Sequence, residues 1–250
     1  MYFGTVLLSN IALAVTYGSA FPDFKISSRQ NSCPSVWANI SFELTGQFAT
    51  GLGYTDSARA AIRAAFHDCF SGPGGCGRSL ILAGELDWDI NSSIRDIGNT
   101  LSSMAMKYSV GAADIIQFAA AHAIKTCTNG PTVQILIGRR EWSTPAPQSE
   151  IPGASDSSDT LLSLFAQKGF TDVDLTALIG AHTCARQFTT DLATADASLD
   201  RTPGTWDVAF YQQTLGGTVP FSFQSDVSIM HSTQTAPIFQ LFAGNVAAWE

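Results

Sequence analysis

Basic residues are scarce in this chain. Thirteen Lys and Arg stand against 21 Asp and Glu over 250 residues, a formal net charge of −8. A chain this acidic is a poor partner for nucleic acid or for an anionic membrane surface. Long apolar runs are also missing. Val6 to Val15 is mostly apolar but too short to span a bilayer, and no later stretch is a transmembrane candidate. The five cysteines include no C-x-x-C pair, which argues against thiol redox catalysis. Internal repeats and low-complexity stretches are absent.

Two hundred and fifty residues suffice for one large domain or two small ones with a real core. Met1 to Ala20 reads as a signal peptide, with small residues at Gly18-Ser19-Ala20 for cleavage. Its first residues lack Lys and Arg, so a buried N-terminal helix is the alternative. Export would make disulfides expected among Cys33, Cys69, Cys76, Cys127 and Cys184, and would give meaning to the Asn39-Ile40-Ser41 glycosylation sequon. Cys69 and Cys76 bracket a Gly-rich loop and are the easiest pair. The other three allow several pairings and leave one thiol over.

The stretch that organises the rest is Ser57 to Phe70, SARAAIRAAFHDCF. It is uninterrupted by Gly or Pro and rich in helix formers, with Thr55 and Asp56 as N-cap candidates. Arg63 and His67 are four apart and share a helix face, flanked by Phe66, while Asp68 points elsewhere. A guanidinium beside an imidazole suits proton transfer next to developing negative charge. The plainer reading is a solvated Arg beside a structural His. A second apolar helical run, Leu178 to Arg186, carries His182, with Leu175, Leu178 and Ile179 along one side. Gly180 and Ala181 leave room there for a large flat group. Together the two segments look like the two jaws of a haem site.

Apolar spacing predicts further helices over 34–50, 91–107, 111–125, 156–168, 173–186, 206–215 and 237–249. Ser71 to Ser79 is a loop, and Val133 to Ile137 is a short apolar run read as extended. The Pro-rich stretch from Arg139 to Ala154 is the best boundary between halves, giving a distal half over 21–150 and a proximal half over 151–250.

The motif R-x-x-F-H-D-C at Arg63, Phe66, His67, Asp68 and Cys69, followed by G-A-H-T at Gly180 to Thr183, resembles the plant-type haem peroxidase superfamily, most closely its secreted fungal members. The resemblance covers nearly the whole mature chain. It implies a mainly α, two-lobed fold with haem b between distal and proximal helices. It implies His182 as the axial iron ligand, with Asp226 accepting its other N–H. It implies Arg63, His67 and Asn91 as catalytic residues acting on hydrogen peroxide, with Glu85 behind Asn91 and Phe66 beside the haem. Without the resemblance, Asp226 reads as a surface carboxylate or cap, and Asn91 as an N-cap or as the sequon Asn91-Ser92-Ser93.

The resemblance also implies calcium. Thr183, Asp200, Thr202, Thr205 and Asp207 match a proximal site. Asp68 and Ser79 match a distal one, weakened because Gly77 stands where the family has Asp and Arg78 follows it. Cys69 and Cys76 resemble the short distal-loop disulfide of the plant enzymes. Tyr54 stands where lignin-degrading relatives have the cysteine that pairs with the equivalent of Cys127. Pro145-Ala146-Pro147 resembles the family's P-x-P near the exposed haem edge, where small phenolic or aromatic donors dock. Of the three carboxylate positions of manganese-oxidising relatives, here Asp56, Ala60 and Phe188, at most one is kept. Ala177 stands where lignin-oxidising relatives have a surface Trp, and Leu199 where an aromatic lies near the axial His. The expectation is a secreted monomeric peroxidase without a dedicated manganese site. A secreted haem-binding protein with little turnover is the alternative.

Overall fold

The structure is a computed structural model. It describes residues 33–249 apart from 52, 71–75, 78, 142, 148 and 149, and Pro34–Glu250 forms one compact unit. The expected signal peptide lies outside the described residues.

Eleven α-helices follow one another among the described residues, with short 3-10 segments between some of them. The first is α1, Val36–Phe48, which buries Trp37, Ile40, Leu44 and Phe48 at the spacing of one face. A two-residue hairpin, β1 Ala49–Thr50 and β2 Gly53–Tyr54, turns the chain through Gly53 at φ 103° into α2, Asp56–Phe70. Thr55 caps α2, its hydroxyl accepting from Ala58 N at 3.3 Å.

After the short α3, Ser79–Leu82, come α4, Arg95–Tyr108, and α5, Ala112–Thr126. Helix α2 packs along α5, and both helices bury mainly alanine: Ala58, Ala61, Ala64 and Ala65 on α2, and Ala112, Ala113, Ala119, Ala120 and Ala123 on α5. Side chains this small let two backbones approach closely. That fixes the rotation of α2 and so the face that carries Arg63 and His67. Ile40, Leu44, Leu101, Ile115 and Ile116 fill the space around the pair. Each buried side chain of this size contributes about 1.5–3 kcal/mol.

The run from Val133 to Ile137 forms no strand. Val133, Leu136 and Ile137 are exposed. What holds the segment is Asp114 on α5, which accepts from Gly138 N at 2.6 Å and Arg139 N at 3.1 Å and pairs with the Arg139 guanidinium at 3.3 Å. Among the described residues the run thus pairs with no other strand, and a carboxylate twenty-odd residues upstream fastens its end.

A second apolar cluster involves α6, Ser158–Gln167; α7, Asp172–Leu178; α8, Ala209–Leu215; α9, Gln224–His231; α10, Ala236–Gly244; and α11, Val246–Trp249. Phe70, at the end of α2, belongs to this cluster and packs at a tilt on Phe165 with ring centroids 4.6 Å apart. Helix α7 begins with a capping box between Thr171 and Asp174.

The single helix expected over 173–186 changes character at Ile179, and Ile179–Cys184 is a 3-10 segment. The cause is competition for carbonyls. Tyr211 Oη donates to Thr176 O at 2.8 Å, and Trp249 Nε1 donates to Ala177 O at 3.0 Å. In an α-helix those two carbonyls would accept from residues 180 and 181. Gly180 serves the same packing. A Cβ built there would lie 2.3 Å from Tyr211 Oη and 2.5 Å from Trp249 Nε1. The space at Gly180 is therefore filled by these two aromatic residues and is not left for a flat ligand. Leu178 is 46% exposed, so it does not line the apolar side expected of it.

Candidate active site

His67 lies on the last turn of α2 and is buried. Its Nδ1 is 2.5 Å from Asn91 Oδ1, and Asn91 Nδ2 donates to Glu85 O at 2.7 Å. The amide therefore presents its oxygen to the ring, so Nδ1 carries the proton and Nε2 keeps its lone pair. That lone pair accepts from Arg63 Nε at 3.1 Å. The His67 pKa is pushed down to about 4, by burial first and then by the Arg63 charge, while the Asn91 hydrogen bond opposes both. His67 is thus a neutral base at any ordinary pH. Arg63 is exposed to solvent, yet protein surrounds it enough for desolvation to lower its pKa, and Nη2 donates to Ile90 O at 3.3 Å.

Asn91 is fully buried in the 3-10 segment Asp89–Ile94, just before α4. A buried amide bonded on both sides speaks against the glycosylation reading of Asn91-Ser92-Ser93. Glu85 takes part through two different groups. Its backbone carbonyl holds Asn91, and its side-chain Oε1 accepts from Ala146 N at 2.7 Å. One residue thereby fastens Pro145-Ala146-Pro147 to the network behind His67. Glu85 Oε2 is buried without a hydrogen bond among the described residues.

The second histidine sits in the 3-10 segment that follows α7. His182 Nδ1 is 3.0 Å from Asp226 Oδ2, and the Asp226 carboxylate is buried at 2% exposure. The carboxylate accepts Nδ1–H, so Nε2 has the free lone pair. Among the described residues nothing hydrogen-bonds Nε2, and the ring keeps 31% of its surface open. Phe210 and Phe223 meet the ring edge-on, with centroids 5.5 and 5.7 Å away. Sequence reading missed both aromatics. Leu199, read as standing near this histidine, is buried in the same cluster. An imidazole with an oriented, unpartnered Nε2, aromatic walls and an open edge fits an axial haem ligand. Phe66 packs against the His67 ring at 6.0 Å and against Phe70 at 5.0 Å.

Five oxygen-bearing residues come together beside His182. Thr183 Oγ1 is 2.6 Å from Asp200 Oδ2, 3.3 Å from Asp207 Oδ1 and 3.5 Å from Thr205 O. Thr202 Oγ1 is 3.1 Å from Asp207 Oδ2. One hydroxyl hydrogen cannot serve three acceptors, so oxygen lone pairs converge here, as they do around a hard cation. Burial is the main cause that raises the Asp200 pKa to about 6, and the neighbouring Asp207 adds to it; hydrogen bonds from Thr183 and Thr202 oppose. Apart from its two carboxylates the set uses Thr oxygens, and the described residues contain no group of three or more His, Cys, Asp or Glu side chains placed to hold a metal.

At the expected distal calcium position, Asp68 and Ser79 are both buried and Asp68 Oδ1 accepts from Leu80 N at 3.3 Å. Gly75 and Arg78 of that loop lie outside the described residues. Cys69 and Cys76 are joined as a disulfide. Tyr54 donates its hydroxyl to Ala123 O at 3.0 Å and stacks under Arg59 at 5.1 Å. Asp56 is paired with Arg59 at 2.9 Å. Trp37 packs on Phe118 at 4.8 Å, and Trp206 stacks on Trp249 at 5.1 Å, both in packing roles. His122 bonds Thr45 Oγ1 at 2.8 Å and lies flat on Phe118.

The family model described as "Peroxidase" matches residues 43–245. A low-redox potential peroxidase of Taiwanofungus camphoratus is 32% identical over 229 residues, covering 84% of this chain and 68% of that protein. A peroxidase of Arthromyces ramosus is 30% identical over 208 residues, covering 77% and 57%. One from Coprinopsis cinerea is 28% identical over 239 residues, covering 86% and 66%. The match thus spans only part of the length of these relatives, from 57% to 68%. The chain belongs to the peroxidase family, among the fungal plant-type haem peroxidases.

Proposed function

We propose that the protein is an extracellular haem peroxidase that reduces hydrogen peroxide and oxidises small phenolic or aromatic donors in one-electron steps. The observation that carries this reading is the matched orientation of two histidines. His67 is fixed through Nδ1 by Asn91, and His182 through Nδ1 by Asp226, so that each keeps a basic Nε2.

His182 Nε2 would hold haem b as its axial ligand, with Phe210 and Phe223 shielding the imidazole. When bound, haem supplies the iron at which peroxide is cleaved and the store of oxidising equivalents that two donor molecules then consume. Asp226 holds the Nδ1 proton and, as a carboxylate, increases the electron donation of the ring. His67 Nε2 takes the proton from the near oxygen of peroxide and returns it to the departing oxygen. For this Arg63 must release the lone pair it now occupies. As it turns, the guanidinium meets the oxygen that is gaining charge, so one motion frees the base and places the electrostatic donor. Asn91 prevents Nδ1 from competing as the basic atom.

Thr183, Asp200, Thr202, Thr205 and Asp207 would hold one calcium ion and brace the axial segment. A distal calcium at Asp68 and Ser79 is weak or absent in this reading. Export follows from the reading of 1–20 as a signal peptide. No described helix is long and apolar enough to cross a membrane. With Asp56 engaged by Arg59 and Ala60 and Phe188 beside it in the pattern, a dedicated manganese site is not part of the proposal, nor is a surface Trp at Ala177. The names of the manganese peroxidase and ligninase relatives therefore do not transfer.

The test is the absorption spectrum of the purified protein before and after hydrogen peroxide, then with a phenol. A Soret band that shifts with peroxide and returns with phenol supports the reading. A Soret band unmoved by peroxide would leave a haem-binding protein without turnover. A spectrum without a Soret band, even when haem is supplied during refolding, would defeat it.

A further inference from the structure

Three cysteines outside the Cys69–Cys76 bond remain, and two of them are neighbours. Cys127 directly follows α5 and is 2% exposed; Cys184 closes the axial-histidine segment, two residues after His182, and is 1% exposed. Cys33 is exposed. The backbone brings the two buried thiols together. Thr128 and Thr205 form a parallel bridge, with Thr128 N donating to Gly204 O at 3.2 Å and Trp206 N to Thr128 O at 2.7 Å. Cys184 Sγ lies 3.8 Å from Thr205 O, the residue across that bridge. In this structure both are free thiols, and they belong to the same buried apolar cluster. Tyr54, Leu199 and Trp206 belong to the same apolar cluster.

We propose that Cys127 and Cys184 form a second disulfide in the mature protein, one that fastens the axial-histidine segment to the end of α5. Two observations favour a bond over a pair of thiols. The chain already holds one disulfide, so it folds where disulfides form. Both sulfurs are also buried, and the described residues hold no group of three or more His, Cys, Asp or Glu placed for a metal, so neither is placed to act as an exposed nucleophile or a metal ligand.

Because the sulfurs are inaccessible once folded, the bond forms during folding, by exchange with a carrier disulfide. One thiolate attacks a carrier sulfur and expels a carrier thiolate. The other then attacks the mixed disulfide and expels the second. Two S–H bonds are replaced by one S–S bond, and the carrier disulfide is reduced to two thiols.

The consequence lies in what the bond connects. Helix α5 packs on α2, which carries Arg63 and His67, while Cys184 is two residues from His182. A covalent link here joins the support of the distal base to the segment of the axial ligand across α6 and α7. Tyr54 packs against the cluster that holds both sulfurs and reaches Ala123 O, and Cys184 is the cysteine that shares this cluster with Cys127 among the described residues.

Peptide mapping tests this without any haem assay. The full chain is denatured without reductant in iodoacetamide, digested and analysed by mass spectrometry. The expected product is one linked peptide pair containing Cys127 and Cys184, both unalkylated. Alkylation of both, or a link from either to Cys33, would overturn the proposal. In C127S the same protocol is expected to alkylate Cys184, and the thermal midpoint to fall by roughly 5–15 °C. An unchanged midpoint would overturn the fastening role. If C127S does not fold, the map of the unmutated chain still decides whether the bond exists.

Discussion

His67 Nδ1 and Asn91 Oδ1 are 2.5 Å apart inside the protein, and the amide that supplies the oxygen is held by Glu85 O on its other side. The orientation of Asn91 is therefore not free, and neither is the tautomer of His67. Replacing Asn91 with Ala leaves a buried Nδ1–H without an acceptor and lets the ring turn or change tautomer. The expected result is a loss of part of the roughly 10²–10⁴-fold that a positioned base supplies, seen in the rate constant of the Soret change with peroxide. H67A should lose the full factor. The Soret band of the resting protein should stay in both variants, because His182 is untouched.

The pH dependence of that step follows from the same site. Burial and Arg63 push the His67 pKa down to about 4. The reaction with peroxide should thus be independent of pH from neutrality to about 5 and decline as pH falls through about 4. Folding follows the same sign. The unfolded imidazole has a pKa near 6.5, so between about 6.5 and 4 the unfolded chain binds more protons, and stability declines as pH drops through that window. Changing Arg63 to Leu removes a cause that lowers the pKa, so the acid limb should move to higher pH while the plateau rate falls about 10²–10³-fold. Stopped-flow mixing over a pH series measures both effects, and an acid limb that moves down would contradict this account.

Asp226 and His182 form the corresponding pair on the other side, 3.0 Å apart. Asp226→Asn keeps an oxygen that can accept Nδ1–H but removes the charge. With His182 as the proposed axial ligand, its imidazole would then donate less, and the reduction potential of the loaded protein should rise. Spectroelectrochemistry reads the shift directly. Asp226→Ala should raise it further and weaken haem retention. A potential unchanged by either variant would mean that His182 does not ligate the iron.

Much of this arrangement can be read locally. The four-residue spacing of Arg63 and His67 survives as a shared helix face because nothing between them interrupts α2. Local reading failed where a distant residue decides. Tyr211 and Trp249 lie 35 and 72 residues beyond the carbonyls they take, and they turn the helical run at His182 into a 3-10 segment. Phe210 and Phe223 reach His182 by the same long-range folding, with no motif to announce them. Glu85 was legible as a member of the distal network, but not that its carbonyl, rather than its carboxylate, would hold Asn91. Residue identity says little about backbone atoms.

Calcium gives a prediction independent of haem. With Thr183, Asp200, Thr202, Thr205 and Asp207 converging, metal analysis should find one tightly held calcium per chain, and chelation should lower the thermal midpoint. D200A/D207A should start from the lower midpoint and not respond to chelator. Two tightly held ions would restore the distal site at Asp68 and Ser79. A midpoint indifferent to chelator in the unmutated protein would remove the proximal one.

Gly180 tests the packing behind His182. Its missing Cβ is what allows Tyr211 and Trp249 to approach the segment that carries His182. Gly180→Ala places a methyl 2.3 Å from Tyr211 Oη, on a side chain with no exposed surface, and 2.5 Å from Trp249 Nε1. Overpacking of this kind costs about 1–3 kcal/mol. For a chain of this size that is a fall in midpoint of roughly 2–12 °C. The neighbour responsible can be identified. Tyr211→Phe removes the closer atom but also the hydrogen bond to Thr176 O, so alone it destabilises. Combined with Gly180→Ala it should cost less than the sum of the two single changes, because the second no longer meets the first. Strict additivity in the thermal midpoints would mean that the methyl is accommodated by a shift of the 3-10 segment, which would then appear as a changed Soret band at His182.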